Sequence, residues 1–94
     1  MVLGYENCGA VKAAMAGKPV PGQIGSIIAA IKPAVEGAKG KPGNPVENAV
    51  KANVFQQIKI LNSSPVISQL VQENKLKVVG GYYDLDEGKV YLIS

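Results

Sequence analysis

The chain has 94 residues, 47% of them apolar and 18% charged, a balance that fits one globular domain with a small core and not a disordered chain. Ten lysines against seven acids give a net charge of +3, yet arginine is absent and the lysines scatter from Lys12 to Lys89, so nucleic-acid recognition is not expected. Histidine is also absent, which removes the usual general base and the commonest zinc ligand, and no apolar run reaches the roughly 18 residues of a membrane span. The lone Cys8 has no partner for an internal disulfide, and the N-terminus lacks a signal-peptide pattern, so a reducing, cytoplasmic setting is expected.

Met1 to Gly4 reads as the end of a buried strand, followed by a turn at Tyr5 to Asn7. "CGAVKAAM", from about Cys8 or Gly9 to Met15, has alanine-rich helix propensity, and the two glycines and two prolines of "AGKPVPG" break it. Ile24, Ile27, Ile28, Ile31 and Val35 recur at helical spacing and predict a helix over 24–36, with Pro33 ending or kinking it near Lys32. "EGAKGKPGNP" reads as a flexible loop. Asn44 as N-cap, Pro45 at the first helical position and Glu47 at the third mark the next helix start, with Val46, Ala49, Val50, Val54, Ile58 and Leu61 as its apolar stripe through Asn62. Ser64 and Pro65 open a further short helix, with Val66, Ile67, Leu70 and Val71 inward. The period then changes: two runs rich in Val, Tyr, Leu and Ile flank "DLDEGK", which predicts a strand around Leu76 to Tyr82, a turn with Gly88 near its end, and a closing strand. The fold class expected is α/β, one domain over residues 1–94, with a three-stranded mixed sheet flanked by about four helices. Its first two strands would be parallel through a helical crossover, and the C-terminal hairpin antiparallel.

With these elements laid out, the chain resembles the C-terminal half of a β-class carbonic anhydrase. "VLGYENCGAVKAA" is similar to the strand-turn-helix that carries that family's His-x-x-Cys-Gly zinc motif. "GQIGSIIAAIKPAV" and "NAVKANVFQQIKILNSSPVISQLVQENKLKVVGGYYDLDEGKVYLI" are similar to its later helices and closing hairpin. The resemblance implies a mostly parallel sheet flanked by helices and an assembly of dimers or larger. It also implies a zinc ion held by a cysteine from an earlier strand together with the histidine and cysteine of the motif. An Asp-Arg pair after the first cysteine would orient the fourth ligand. The earlier strand, its cysteine and the Asp-Arg pair have no counterpart among these residues. Tyr5 stands at the histidine position, and Cys8 is the one family ligand that survives.

A catalytic zinc needs three protein ligands and an open position for water, so no metal ligand set, no catalytic residue and no resident cofactor are expected. The remnant pocket expected from the resemblance comprises Gly4, Tyr5, Cys8 and Gly9. Cys8 reads as a small, half-buried residue, with a reactive thiolate at a helix mouth as the sharper alternative and metal ligation as a third. Tyr5 reads as an aromatic plug with its hydroxyl hydrogen-bonded, filling the vacated metal cavity. Gly4 and Gly9 bracket a turn whose free amides suit a small anion such as bicarbonate, or merely permit a tight turn. Gly80 and Gly81 suggest a bulge or a close backbone approach, and Tyr82 and Tyr83 face opposite ways, one into the core. Asp84, Asp86 and Glu87 read as a solvated turn rather than a weak calcium site.

An exposed first-strand edge and uncovered apolar faces predict self-association as a dimer or higher homo-oligomer, with a separate chain supplying the missing N-terminal half as the alternative partner. The function expected is that of a carbonic anhydrase-like pseudoenzyme. Two alternatives stand beside it: a residual or partner-complemented zinc enzyme of reversible CO2 hydration, and a scaffold subunit.

Overall fold

A computed structural model of the chain describes residues 1–17 and 24–94. Its elements follow the order β1 (Val2–Tyr5), α1 (Gly9–Ala16), α2 (Ile24–Ala38), α3 (Pro45–Asn62), α4 (Pro65–Gln72), β2 (Gly80–Asp84) and β3 (Lys89–Leu92). The three strands form one sheet in the order β1-β2-β3. β1 lies parallel to β2, with Val2 opposite Gly80 and Tyr5 opposite Tyr83, and β3 returns antiparallel, with Gly81 opposite Leu92. The mixed sheet and the four helices are those the sequence predicts.

The helix starts follow local chemistry. Asn44 Oδ1 accepts from the backbone N–H of Val46 at 2.9 Å and of Glu47 at 3.1 Å, satisfying two donors that the first turn of α3 leaves free. Ser64 holds the corresponding place before α4 but makes no side-chain cap bond. α1 ends at Gly17, whose left-handed backbone is cheap for glycine. The remainder of the predicted break, from Lys18 to Gly22, lies outside the described residues.

Three expectations need correction. α2 does not stop at Lys32; it runs through Pro33 to Ala38, so Glu36 to Ala38 are helical and the loop shrinks to Lys39–Asn44. Pro33 removes the hydrogen bond to the Ala29 carbonyl, but both residues are exposed, so water can serve that carbonyl. The next carbonyl, Ala30, accepts from Gln56 Nε2 of α3 at 2.7 Å. Ile27 points outward from α2 at 56% exposure, Val66 from α4 at 68% and Leu61 from α3 at 38%, so those stripes are narrower than spacing suggests; the side chain of Ile24 lies outside the described residues. Finally, β2 begins at Gly80 rather than near Leu76: residues 75–79 carry no ladder beyond Val79, whose carbonyl accepts from Val2.

The core forms where α1, α2 and α3 meet. Val11 and Ala14, Ile28, Ile31, Val35 and Ala38, and Ala49 and Val50 are buried together, with Tyr82 reaching in from β2. α3 rests on the sheet with its valines against bare backbone. A Cβ built on Gly4 would lie 2.7 Å from Val50 Cγ1 and 2.8 Å from Val54 Cγ2, and one on Gly80 would lie 2.8 Å from Val54 Cγ1 and 2.9 Å from Ile58 Cδ1. The missing side chains on β1 and β2 thus form the groove into which α3 settles, the close approach expected of Gly80.

Candidate functional site

The strand-to-helix turn after β1 places the residues of the remnant pocket, and strand alternation sends them apart. Gly4 faces α3 and is filled over by Val50 and Val54. Tyr5 projects from the opposite face of the sheet and is 51% exposed, its ring edge-on to Tyr83 with centroids 5.6 Å apart and planes at 67°. It is therefore not a plug in a metal cavity. Its strand parity directs it away from the helices, and its contact is with another aromatic on the outer face.

Beyond Tyr5 the chain reverses through Asn7, a residue in the left-handed region (φ 54°) that asparagine tolerates better than most. Cys8 occupies the N-cap position of α1, its carbonyl accepting from Lys12 N–H at 3.0 Å. Its side chain makes no cap bond and is half-buried against the core. Gly9 is exposed, and a Cβ there would meet nothing within 4 Å. The turn brings Cys8 and Gly9 together at the helix mouth but does not gather Gly4 and Tyr5 around them.

The cavity beside this turn, about 260 Å³, is lined instead by Glu6, Asn7, Asn44, Val46, Glu47, Tyr82 and Asp86. Glu6 reaches it because β1 pairs in parallel with β2: Glu6 N–H donates to the Tyr83 carbonyl at 2.9 Å, which sets Glu6 beside the hairpin turn. The carboxylates of Glu6, Asp84 and Asp86 consequently have oxygens within 4.8 Å of one another. Partial burial, then repulsion from Asp84 and Asp86, raises the Glu6 carboxyl above its ordinary value. Asp84 is already committed, its Oδ1 accepting from the N–H groups of Asp86 and Glu87 at 2.9 and 3.0 Å, a turn-forming role. Tyr82 is buried, Lys51 Nζ sits 5.0 Å from its ring centroid, and burial followed by the charge of Glu47 raises its phenol. The convergence of Glu6 on the hairpin escaped the sequence reading. The alternation of "VLGYE" against "GGYYD" carries that signal once the parallel register is known.

Zinc chemistry has a defined requirement, and the donors at this turn do not meet it. Among the described residues, Cys8 belongs to no group of three metal-ligating side chains, and the group that does form is all carboxylate and lies at the hairpin. The softer nitrogen and sulfur donors of a catalytic zinc would have to come from histidine, absent here, or from a second cysteine, also absent.

Residues 1–90 match the family model described as carbonic anhydrase. The chain belongs to the carbonic anhydrase family. It is 30% identical over 97 aligned residues to carbonic anhydrase 2 of Mycobacterium tuberculosis, in strains CDC 1551 / Oshkosh and H37Rv alike, covering 98% of this chain and 47% of each relative. Among solved structures it superposes with a TM-score of 0.84 at 22% identity on a tetrameric β-carbonic anhydrase from the ascomycete Sordaria macrospora, covering 97% of this chain and 49% of that one. The β-carbonic anhydrase CcaA gives a TM-score of 0.77 at 23% identity, covering 97% and 44%. The fold is thus that of the C-terminal half of a β-carbonic anhydrase, and the chain spans about half the length of the relatives it matches.

Proposed function

We propose that these 94 residues form a non-catalytic, homo-oligomeric carbonic anhydrase-like module, a pseudoenzyme of the cytoplasm. One observation carries the reading: Tyr5 stands where the family motif has histidine, on the sheet face away from the helices, so Cys8 is left as a single soft donor. One thiolate does not hold zinc against competing ligands or lower the pKa of a bound water. The Sordaria relative is described as tetrameric, which supports assembly as the retained property. The proposal does not extend to the anion binding that the two glycines suggested. Glu6, Glu47 and Asp86 line the cavity beside the Gly4–Gly9 turn, and their charge opposes bicarbonate there.

The half-length match favours one second reading, in which another polypeptide supplies further donors to Cys8 and completes a zinc enzyme of CO2 hydration. Metal analysis by plasma mass spectrometry and stopped-flow CO2 hydration test both readings. The pseudoenzyme reading expects zinc far below one per chain and hydration at the buffer rate. Stoichiometric zinc with turnover that disappears in Cys8→Ser would sink it.

A further inference from the structure

We infer that the sheet face turned away from α3 is a self-association surface, on which a second copy of this chain packs sheet against sheet across a twofold axis. The inference deepens the homo-oligomer reading, on which it rests, by assigning the contact to a face rather than to the free edge of β1.

Strand parity and register define the patch. Leu3 and Tyr5 of β1, Tyr83 of β2, and Val90 and Leu92 of β3 all project from this side, and the Met1 thioether lies over Gly81 between them. Four of these are open to solvent in the single chain: Met1 at 67%, Leu92 at 66%, Tyr5 at 51% and Val90 at 45%. The helices and the buried core lie on the other side.

The occupant follows from area and charge. At about 150–250 Å² per side chain these exposures leave roughly 350–550 Å² on one face, within the range of the largest apolar patch on a soluble monomer. Two such faces present about 700–1,100 Å² together, which reaches the size at which a specific interface becomes sustainable. The charged residues of the strands, Asp84 and Lys89, share the α3 side by parity with Glu6. The outer face therefore carries no charge from the strands that would repel its own copy, and none that would select a partner of opposite charge. Flat faces of alternating aromatic and branched residues, with their strands within about 30° of alignment, are what sheet-on-sheet packing uses.

Sedimentation equilibrium of the chain over a range of concentrations is the test. The expected mass is twice the 9.8 kDa of one chain, falling to one chain in Leu92→Lys and in Val90→Lys, with the dissociation constant raised at least about tenfold by a charge buried in the contact. Both positions are exposed in the single chain, so circular dichroism should show the fold intact. If either lysine variant unfolds, a thiol probe decides: in a Cys8→Ser, Leu92→Cys double variant, labelling should slow as protein concentration rises. A dimer that survives both lysine substitutions, or a thiol labelled equally fast at all concentrations in a dimeric sample, overturns the face assignment and leaves the homo-oligomer reading standing. A chain that stays monomeric throughout overturns both, whether or not it captures an added N-terminal half-domain.

Discussion

Replacing Gly4 by alanine tests whether α3 truly rests on the backbone of β1. The added methyl would stand 2.7 Å from Val50 Cγ1 and 2.8 Å from Val54 Cγ2, closer than real carbon atoms approach. Neither valine can step aside, since both are 2% exposed and enclosed by neighbours. Either α3 lifts from the sheet, loosening the Val54 contact over Gly80, or the valines leave their preferred rotamers. Overpacking of this kind costs about 1–3 kcal/mol. In a domain of this size each kcal/mol lowers Tm by about 4–8 °C. Urea unfolding followed by circular dichroism should show a lower midpoint with an unchanged slope. Val50→Ala removes one colliding methyl, so in that background Gly4→Ala should cost less than in the parent, a coupling of about 0.5–3 kcal/mol. A Gly4→Ala chain within about 0.5 kcal/mol of the parent, as for an ordinary surface change, would refute the close packing. Zero coupling to Val50 would refute the identity of the obstacle.

Three smaller effects should accompany it. Asn44→Ala removes the acceptor for the Val46 and Glu47 N–H groups and should lower stability by about 1 kcal/mol, whereas Asn44→Asp should retain most of it in the same unfolding assay. Gln56→Ala deletes the bond to the Ala30 carbonyl beside Pro33 and should cost about 0.5–1.5 kcal/mol, with faster hydrogen exchange in the second half of α2. Glu6 has a raised carboxyl in the folded state, so folding takes up protons between its ordinary value of 4.5 and the raised one, and its contribution to stability is lost as pH rises through that window. Glu6→Gln should flatten that part of the pH profile and stabilise the chain at neutral pH; a profile left unchanged would show that the three carboxylates do not interact.

How much of this was legible in the sequence depends on the range of the interactions involved. The start of α3 was readable because Asn44, Pro45 and Glu47 act on the backbone next to them. The hairpin was readable because alternation and turn residues are contiguous. Pro33 misled because its cost depends on whether the freed Ala29 carbonyl finds a partner, and that is decided by its exposure to solvent, which follows from how α2 packs on its neighbours. Val66 misled because α4 packs on α3 alone among the described elements and buries none of its residues completely. At the site, the Cys8 helix mouth was visible, but the facing of Tyr5 and the approach of Glu6 to Asp84 and Asp86 depend on the parallel register between segments 78 residues apart. Local rules do not fix such a register until the sheet is assembled.

The separation of Gly4 from Tyr5 also means that this framework can keep its shape whichever residue stands at position 5. Adjacent residues on a strand point to opposite faces, so the position that seats α3 and the position where the family has its histidine are neighbours in sequence but do not share a packing environment. Within the single chain a change at position 5 alters no buried contact; its partner is the Tyr83 ring, worth about 0.5–1.5 kcal/mol. Tyr5→His should therefore fold with a loss of no more than that, recreating the His-x-x-Cys spacing on an unaltered core. It should still leave zinc with two donors where three are required, and CO2 hydration at the buffer rate. Zinc bound stoichiometrically by Tyr5→His with measurable turnover would mean that a third donor is already within reach of Cys8. Position 5 would then be the single point at which catalysis is switched off.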